Sequence, residues 1–118
     1  MILDELAAYA QQRVLADKQA HPLEELKQRC ETVSPRTPFV FEQALRADAL
    51  SFICEVKKAS PSKGIIAPDF PYLDIAKQYE QAGADCISCL TEPKWFLGSD
   101  AIFTDIRAAV QTPMIRKD

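Results

Sequence analysis

Three short apolar runs recur at wide intervals in the second half of the chain: "SFICEVK" at 51–57, "DCISCL" at 85–90 and "MIRK" at 114–117. Between them lie segments whose apolar residues repeat at helical spacing, about 72–82 and 100–110. This order constrains the fold strongly. Strands separated by a helix are not joined by a tight turn. They are expected to run parallel, with right-handed crossovers. Runs this apolar expect burial on both faces. The punctuation agrees. Gly83 stands where a left-handed residue would stop the first of these helices, Ser99 can cap the second, and Thr112-Pro113 breaks it. A long loop with Pro61, Gly64, Pro68 and Pro71 follows the first strand.

The first fifty residues read differently. Ile2, Leu3, Leu6, Ala7, Ala10, Val14 and Leu15 predict a helix from 2 to about 18. Pro22 suits the first position of a second helix, which fades by about Val33. "SPRTP" then breaks the chain, and Thr37 followed by Pro38 predicts the start of a third helix ending near Ala47. The expected organisation is an α-helical extension over 1–50 followed by an α/β unit over 51–118. No helix follows the third strand to cover it, so the chain is expected to be the first part of a longer fold. The strand's open edge can pair with another copy of the chain.

Other classes are disfavoured by composition. The net charge of −3 over 118 residues creates no basic field for nucleic acid or an anionic membrane. No apolar run approaches the roughly 20 residues that span a bilayer. The N-terminus carries Asp4 and Glu5 and is no secretory signal, so the expected location is cytoplasmic. Of the four cysteines, Cys86 and Cys89 have Cys-x-x-Cys spacing. In a strand, residues three apart point to opposite faces, so the pair is read as small core residues and no metal is expected.

The unusual feature is charge inside a strand. Alternation puts Ile53, Glu55 and Lys57 on one face of the first strand, and Ile115 and Lys117 on one face of the third. In both, an apolar layer is followed by a charged residue near the strand's C-terminal end, the end that carries active sites in (β/α)8 barrels. One reading is an ion pair or a solvated strand end. The other is that two lysines converge on one site, which requires an anion between them, such as an anionic substrate or phosphate. Ser60, Ser62 and Gly64 supply donors in the turn after the first strand, although the Gly-x4-Gly-Lys-Ser/Thr phosphate loop is absent. Trp95 and Phe96 put two aromatics in the loop after the second strand, either as a hydrophobic rim or as a stacking surface for a ligand ring.

Taken in order, "EVKKASPSKG", "CLTEPKWFLGS" and "PMIRKD" resemble indole-3-glycerol phosphate synthase, and the resemblance covers nearly all of the chain. It implies the first three βα strands of a (β/α)8 TIM barrel behind an N-terminal helical extension. It also implies a lyase of tryptophan biosynthesis that needs no metal or organic cofactor. The implied reaction closes the ring of 1-(o-carboxyphenylamino)-1-deoxyribulose 5-phosphate with loss of carbon dioxide and water. By that similarity Lys117 is the general acid, Lys57 binds the substrate's anionic groups, Glu55 orients the lysines, Ser60 contacts substrate and Phe96 packs near the anthranilate ring. The family's general-base glutamate and its phosphate-gripping loops have no counterpart in this chain, so the 118 residues alone are expected to be inactive. Two other readings are a non-catalytic phospho-ligand-binding barrel module and a related phosphosugar barrel such as phosphoribosylanthranilate isomerase. The helical extension and "KASPSKG" favour the synthase.

Overall fold

A computed structural model describes residues 1–34 and 37–118, which form two compact units, Met1–Pro38 and Phe39–Asp118. In the first unit, α1 spans Ile2–Ala20 and α2 spans Leu23–Thr32. Both carry acidic residues in their first turns, where the exposed amide groups favour negative charge. His21 lies exposed between them, 3.5 Å from Glu25. The expected break at 34–38 falls partly on residues 35 and 36, outside the described residues.

The second unit opens with a short helix, α3, Val40–Ala44, which therefore groups with the sheet that follows. The sequence placed its cap at Thr37 and its end near Ala47; both expectations are corrected. Phe39 precedes the helix in a left-handed conformation (φ 60°), so helical geometry cannot begin before Val40. The helix closes early through Leu45 and Arg46, whose amides reach back three residues to Glu42 and Gln43.

Strand β1 is Ile53–Val56. The segment after it contains a small antiparallel hairpin that sequence patterning read only as loop: β2, Ala59–Ser60, pairs with β3, Gly64–Ile65. Gly64 sits at φ +64°, which its missing side chain tolerates, and the amides of Ile66 and Ala67 return to the Lys58 carbonyl. Helix α4, Tyr72–Gln81, leads to β4, Cys86–Leu90; helix α5, Asp100–Ala109, leads to β5, Met114–Lys117. These boundaries agree with the patterning to within two residues. Gly83 (φ 87°) stops α4, with its amide on Glu80 and that of Ala84 on Tyr79, the paired closure of a Schellman motif. Ser99 Oγ accepts the Ile102 amide at 3.1 Å and caps α5.

The three main strands form one parallel sheet in the order β1-β4-β5. Val56, Ile87 and Cys89 from one face of the sheet are buried with Ala76 of α4 and Ile106 of α5, and Tyr79, Ile102 and Met114 pack around them. Burial of this apolar surface holds the sheet and helices together. Cys86 and Cys89 are both free thiols and both buried. Removal from water pushes the Cys89 thiol up to about 11, so it stays protonated and inert at neutral pH. The opposite face carries Ile53, Glu55, Ser88, Ile115 and Lys117, and there Ile53 and Ile115 are exposed. Burial on both faces, as the apolar runs suggested, therefore holds along β4, whose five residues are all buried, and not along β1 and β5. Both of these are edge strands. Among the described residues, no helix is long and apolar enough to cross a membrane.

Candidate active site

The charged residues of β1 and β5 meet across β4. Register places Glu55 beside Ser88, and Ser88 beside Ile115; Lys117 lies beside Leu90 at the C-terminal end of the sheet. Ile115 and Lys117 share a face, so the lysine side chain reaches back over the sheet toward Glu55. Its Nζ lies 3.1 Å from Glu55 Oε2. Lys57, two residues after Glu55 and on the same face, puts its Nζ 3.3 Å from the other oxygen, Oε1. The Ser88 hydroxyl donates to Oε2 at 3.1 Å. The backbone of the same residue is held from α4, where Tyr79 donates its hydroxyl proton to the Glu55 carbonyl at 2.9 Å.

One carboxylate therefore stands between two ammonium groups. The anion that two converging lysines require is supplied by the protein itself. Two lysines against one glutamate leave one net positive charge among these three groups. The cluster is not sealed. The side chains of Glu55, Lys57 and Lys117 are 28%, 34% and 57% exposed, which leaves the lysine heads reachable from solvent. Partial burial pushes the Glu55 carboxyl up. Hydrogen bonds from Lys117, Ser88 and Lys57, with the charge of Lys117, outweigh it and hold the group below the ordinary carboxylate value of 4.5. It is ionised at neutral pH.

Ser60 and Phe96 lie on segments that leave the same end of the sheet. Ser60 is buried on β2, and its Oγ accepts the Lys63 amide at 3.3 Å, so it closes the hairpin turn. Phe96 is half-buried in the loop after β4. Among the described residues, Ser60 makes no hydrogen bond to the Glu55 cluster.

Three contributors escaped sequence reasoning. Ser88 looked like one more small residue of the apolar run "CISCL", and its role depends on strand register. Thr91 donates to the Lys117 carbonyl through both its amide (2.8 Å) and its hydroxyl (3.3 Å), which extends the β4–β5 pairing past the end of the strand. Glu92 is a buried acid in "LTEPKWF"; the only hint was an acidic residue directly before a proline turn.

Comparison with known proteins identifies a family. The family model described as indole-3-glycerol phosphate synthase matches residues 3–118. Among curated relatives, the indole-3-glycerol phosphate synthase of Ruminiclostridium cellulolyticum is 49% identical over 118 residues, covering 100% of this chain and 45% of the relative. Those of Endomicrobium trichonymphae and Lacticaseibacillus paracasei are 43% and 46% identical, also over the whole of this chain and 46% and 45% of their own lengths. The chain thus spans a little under half the length of the relatives it matches.

Proposed function

The chain belongs to the indole-3-glycerol phosphate synthase family, and from that premise we propose that it supplies the acid side of that enzyme's ring-closing site. The observation that carries the reading is the Glu55 carboxylate held between Lys117 and Lys57 at the C-terminal end of a parallel sheet. The substrate class is a phosphosugar carrying an anthranilate group, so it brings a phosphate and a carboxylate to a cluster with one net positive charge. When the aromatic carbon attacks the ketone, negative charge develops on the carbonyl oxygen. Lys117, an ammonium donor on the open side of the cluster, is the group that protonates that oxygen. Carbon dioxide then leaves and its bonding electrons restore the aromatic ring; the hydroxyl departs as water as the neighbouring CH2 carbon gives up a proton, which completes the indole. Lys57 binds the substrate's anionic groups and assists proton transfer in the dehydration. Glu55 fixes both lysine heads, and Ser88 fixes Glu55.

The remaining assignments belong to the same proposal. Residues 1–50 form a helical extension and 51–118 the first three βα strands of a (β/α)8 barrel. Ser60 contacts substrate, and Phe96 packs near the anthranilate ring. The enzyme works in the cytoplasm on a small molecule, with no metal, organic cofactor, nucleic acid or membrane. The test is a hybrid in which residues 1–118 replace the matching segment of the Ruminiclostridium cellulolyticum relative. It should form indole-3-glycerol phosphate in a spectroscopic assay, and Lys117→Ala should lower its kcat by about 10²–10⁴-fold with a much smaller change in KM. Near-normal turnover in Lys117→Ala would remove this lysine from the chemistry.

A further inference from the structure

The loop that carries Trp95 and Phe96 is organised around a buried carboxylate. Glu92 is only 3% exposed. Its Oε1 accepts the Lys94 amide at 2.9 Å, and its Oε2 accepts those of Trp95 (2.7 Å) and Phe96 (3.0 Å). Its own carbonyl accepts the Gly98 amide at 2.8 Å, which draws the far end of the loop back to the near end. Three successive amides directed at one carboxylate form an anion-binding turn whose anion is a side chain of the same loop.

The neighbouring backbone fits this closure. A Cβ on Gly98 would stand 2.2 Å from the Leu90 carbonyl oxygen, so the returning chain lies directly against the end of β4 and admits no side chain there. Leu97, before it, holds a left-handed φ of 53°, a conformation that a non-glycine keeps only when its surroundings impose it. Thr91, the residue before Glu92, is the one that bonds the Lys117 carbonyl. The aromatic loop and the backbone of Lys117 therefore share one anchor.

We propose that Glu92 is a positioning residue: its carboxylate holds the Trp95–Phe96 segment as a preformed wall of the site, set against the same strand end as Lys117. What the wall contacts, the aromatic ring of the substrate, rests on the synthase reading above; the positioning itself does not. Glu92 touches no reacting atom. A preformed wall spares the ordering cost when substrate binds, so its loss weakens substrate capture more than turnover.

Glu92→Gln keeps the shape and loses the charge, and it turns an N–H donor toward amide donors. Three readouts follow. In the chain itself, hydrogen exchange at the amides of 94–96 should accelerate about 10-fold or more. Trp95, the single tryptophan, should become more accessible to acrylamide quenching while the far-ultraviolet circular dichroism is unchanged. In the hybrid enzyme, KM should rise by about 10-fold with kcat within about 3-fold, and Glu92→Asp, which keeps the charge, should recover part of both effects. Unchanged amide exchange would overturn the proposal, as would faster exchange with unchanged KM. Collapse of the sheet signal in both variants would also overturn it, because Glu92 would then support the fold and not the loop. A hybrid inactive before any substitution would sink the assigned chemistry instead, and exchange and quenching would then decide the Glu92 proposal by themselves.

Discussion

Replacing Glu55 with glutamine separates the two meanings of the charged cluster. As an ion-pair device for the fold, Glu55 should matter to stability. As an organiser of two lysines, it should matter to rate. The geometry lets the two be weighed. Its contacts are Lys117 at 3.1 Å, Lys57 at 3.3 Å and Ser88 at 3.1 Å. Unscreened charges at such distances would attract by about 5 kcal/mol at an effective dielectric of 20. The lysines are 34% and 57% exposed, however, and pairs this open to solvent contribute about 0.2–1 kcal/mol each. Glu55→Gln should therefore cost about 1 kcal/mol of stability, read as a shift in urea midpoint at constant slope. The effect on catalysis should be much larger. The glutamine amide faces one ammonium with a donor, the two lysines repel with no charge between them, and displacement of a reacting group by about 1 Å costs about 10²-fold. The hybrid enzyme carrying Glu55→Gln should thus keep its fold and lose about 10²-fold in kcat. A pH signature accompanies this. The folded Glu55 carboxyl titrates below its ordinary 4.5, so its stabilisation is complete above that value and is lost as pH falls through the lower folded value. The variant should lack that part of the acid destabilisation. The reasoning is refuted if Glu55→Gln loses several kcal/mol of stability while the surviving folded enzyme turns over normally.

Two further outcomes are expected. Lys57→Met should weaken binding of a phosphate-bearing substrate analogue in titration calorimetry, because it removes the cluster's net positive charge; unchanged affinity with an intact fold would show that Lys57 plays no part in anion binding. The 118 residues by themselves should show no synthase activity, since they span a little under half the length of the matched relatives, and should self-associate in size-exclusion chromatography with light scattering, because β1 and β5 are the outer strands of the three-stranded sheet and Ile53 and Ile115 are exposed among the described residues; a sharply folding, active monomer would refute both parts.

Much of this arrangement is local information. Helical spacing, the left-handed stop at Gly83 and the cap at Ser99 depend on residues a few positions apart, and a sequence states such relations directly. Strand alternation likewise assigns Glu55 with Lys57, and Lys117 with Ile115, to their faces before any tertiary contact is known. The failures are also local, but concern conformations that composition does not announce. Nothing in "RTPFV" signals that Phe39 adopts a left-handed turn, and two-residue strands such as β2 and β3 are too short for a period to show.

Tertiary structure alone decided what the charges do. Residues 55, 88 and 117 are separated by about thirty positions at each step, so no local pattern relates them. Their meeting depends on β4 lying between β1 and β5 and on a register that pairs Glu55 with Ser88. Packing of Val56, Ile87 and Cys89 against α4 and α5 sets that register, because a slip of one residue would turn every apolar side chain to the wrong face. Sequence parity could say that two lysines needed an anion. Parity and the family resemblance had put Glu55 with the lysines, but only the packed sheet brought both Nζ atoms within contact of its two oxygens, and only the folded loop turned Glu92 inward to gather three amides, since both depend on which groups packing brings within hydrogen-bonding reach.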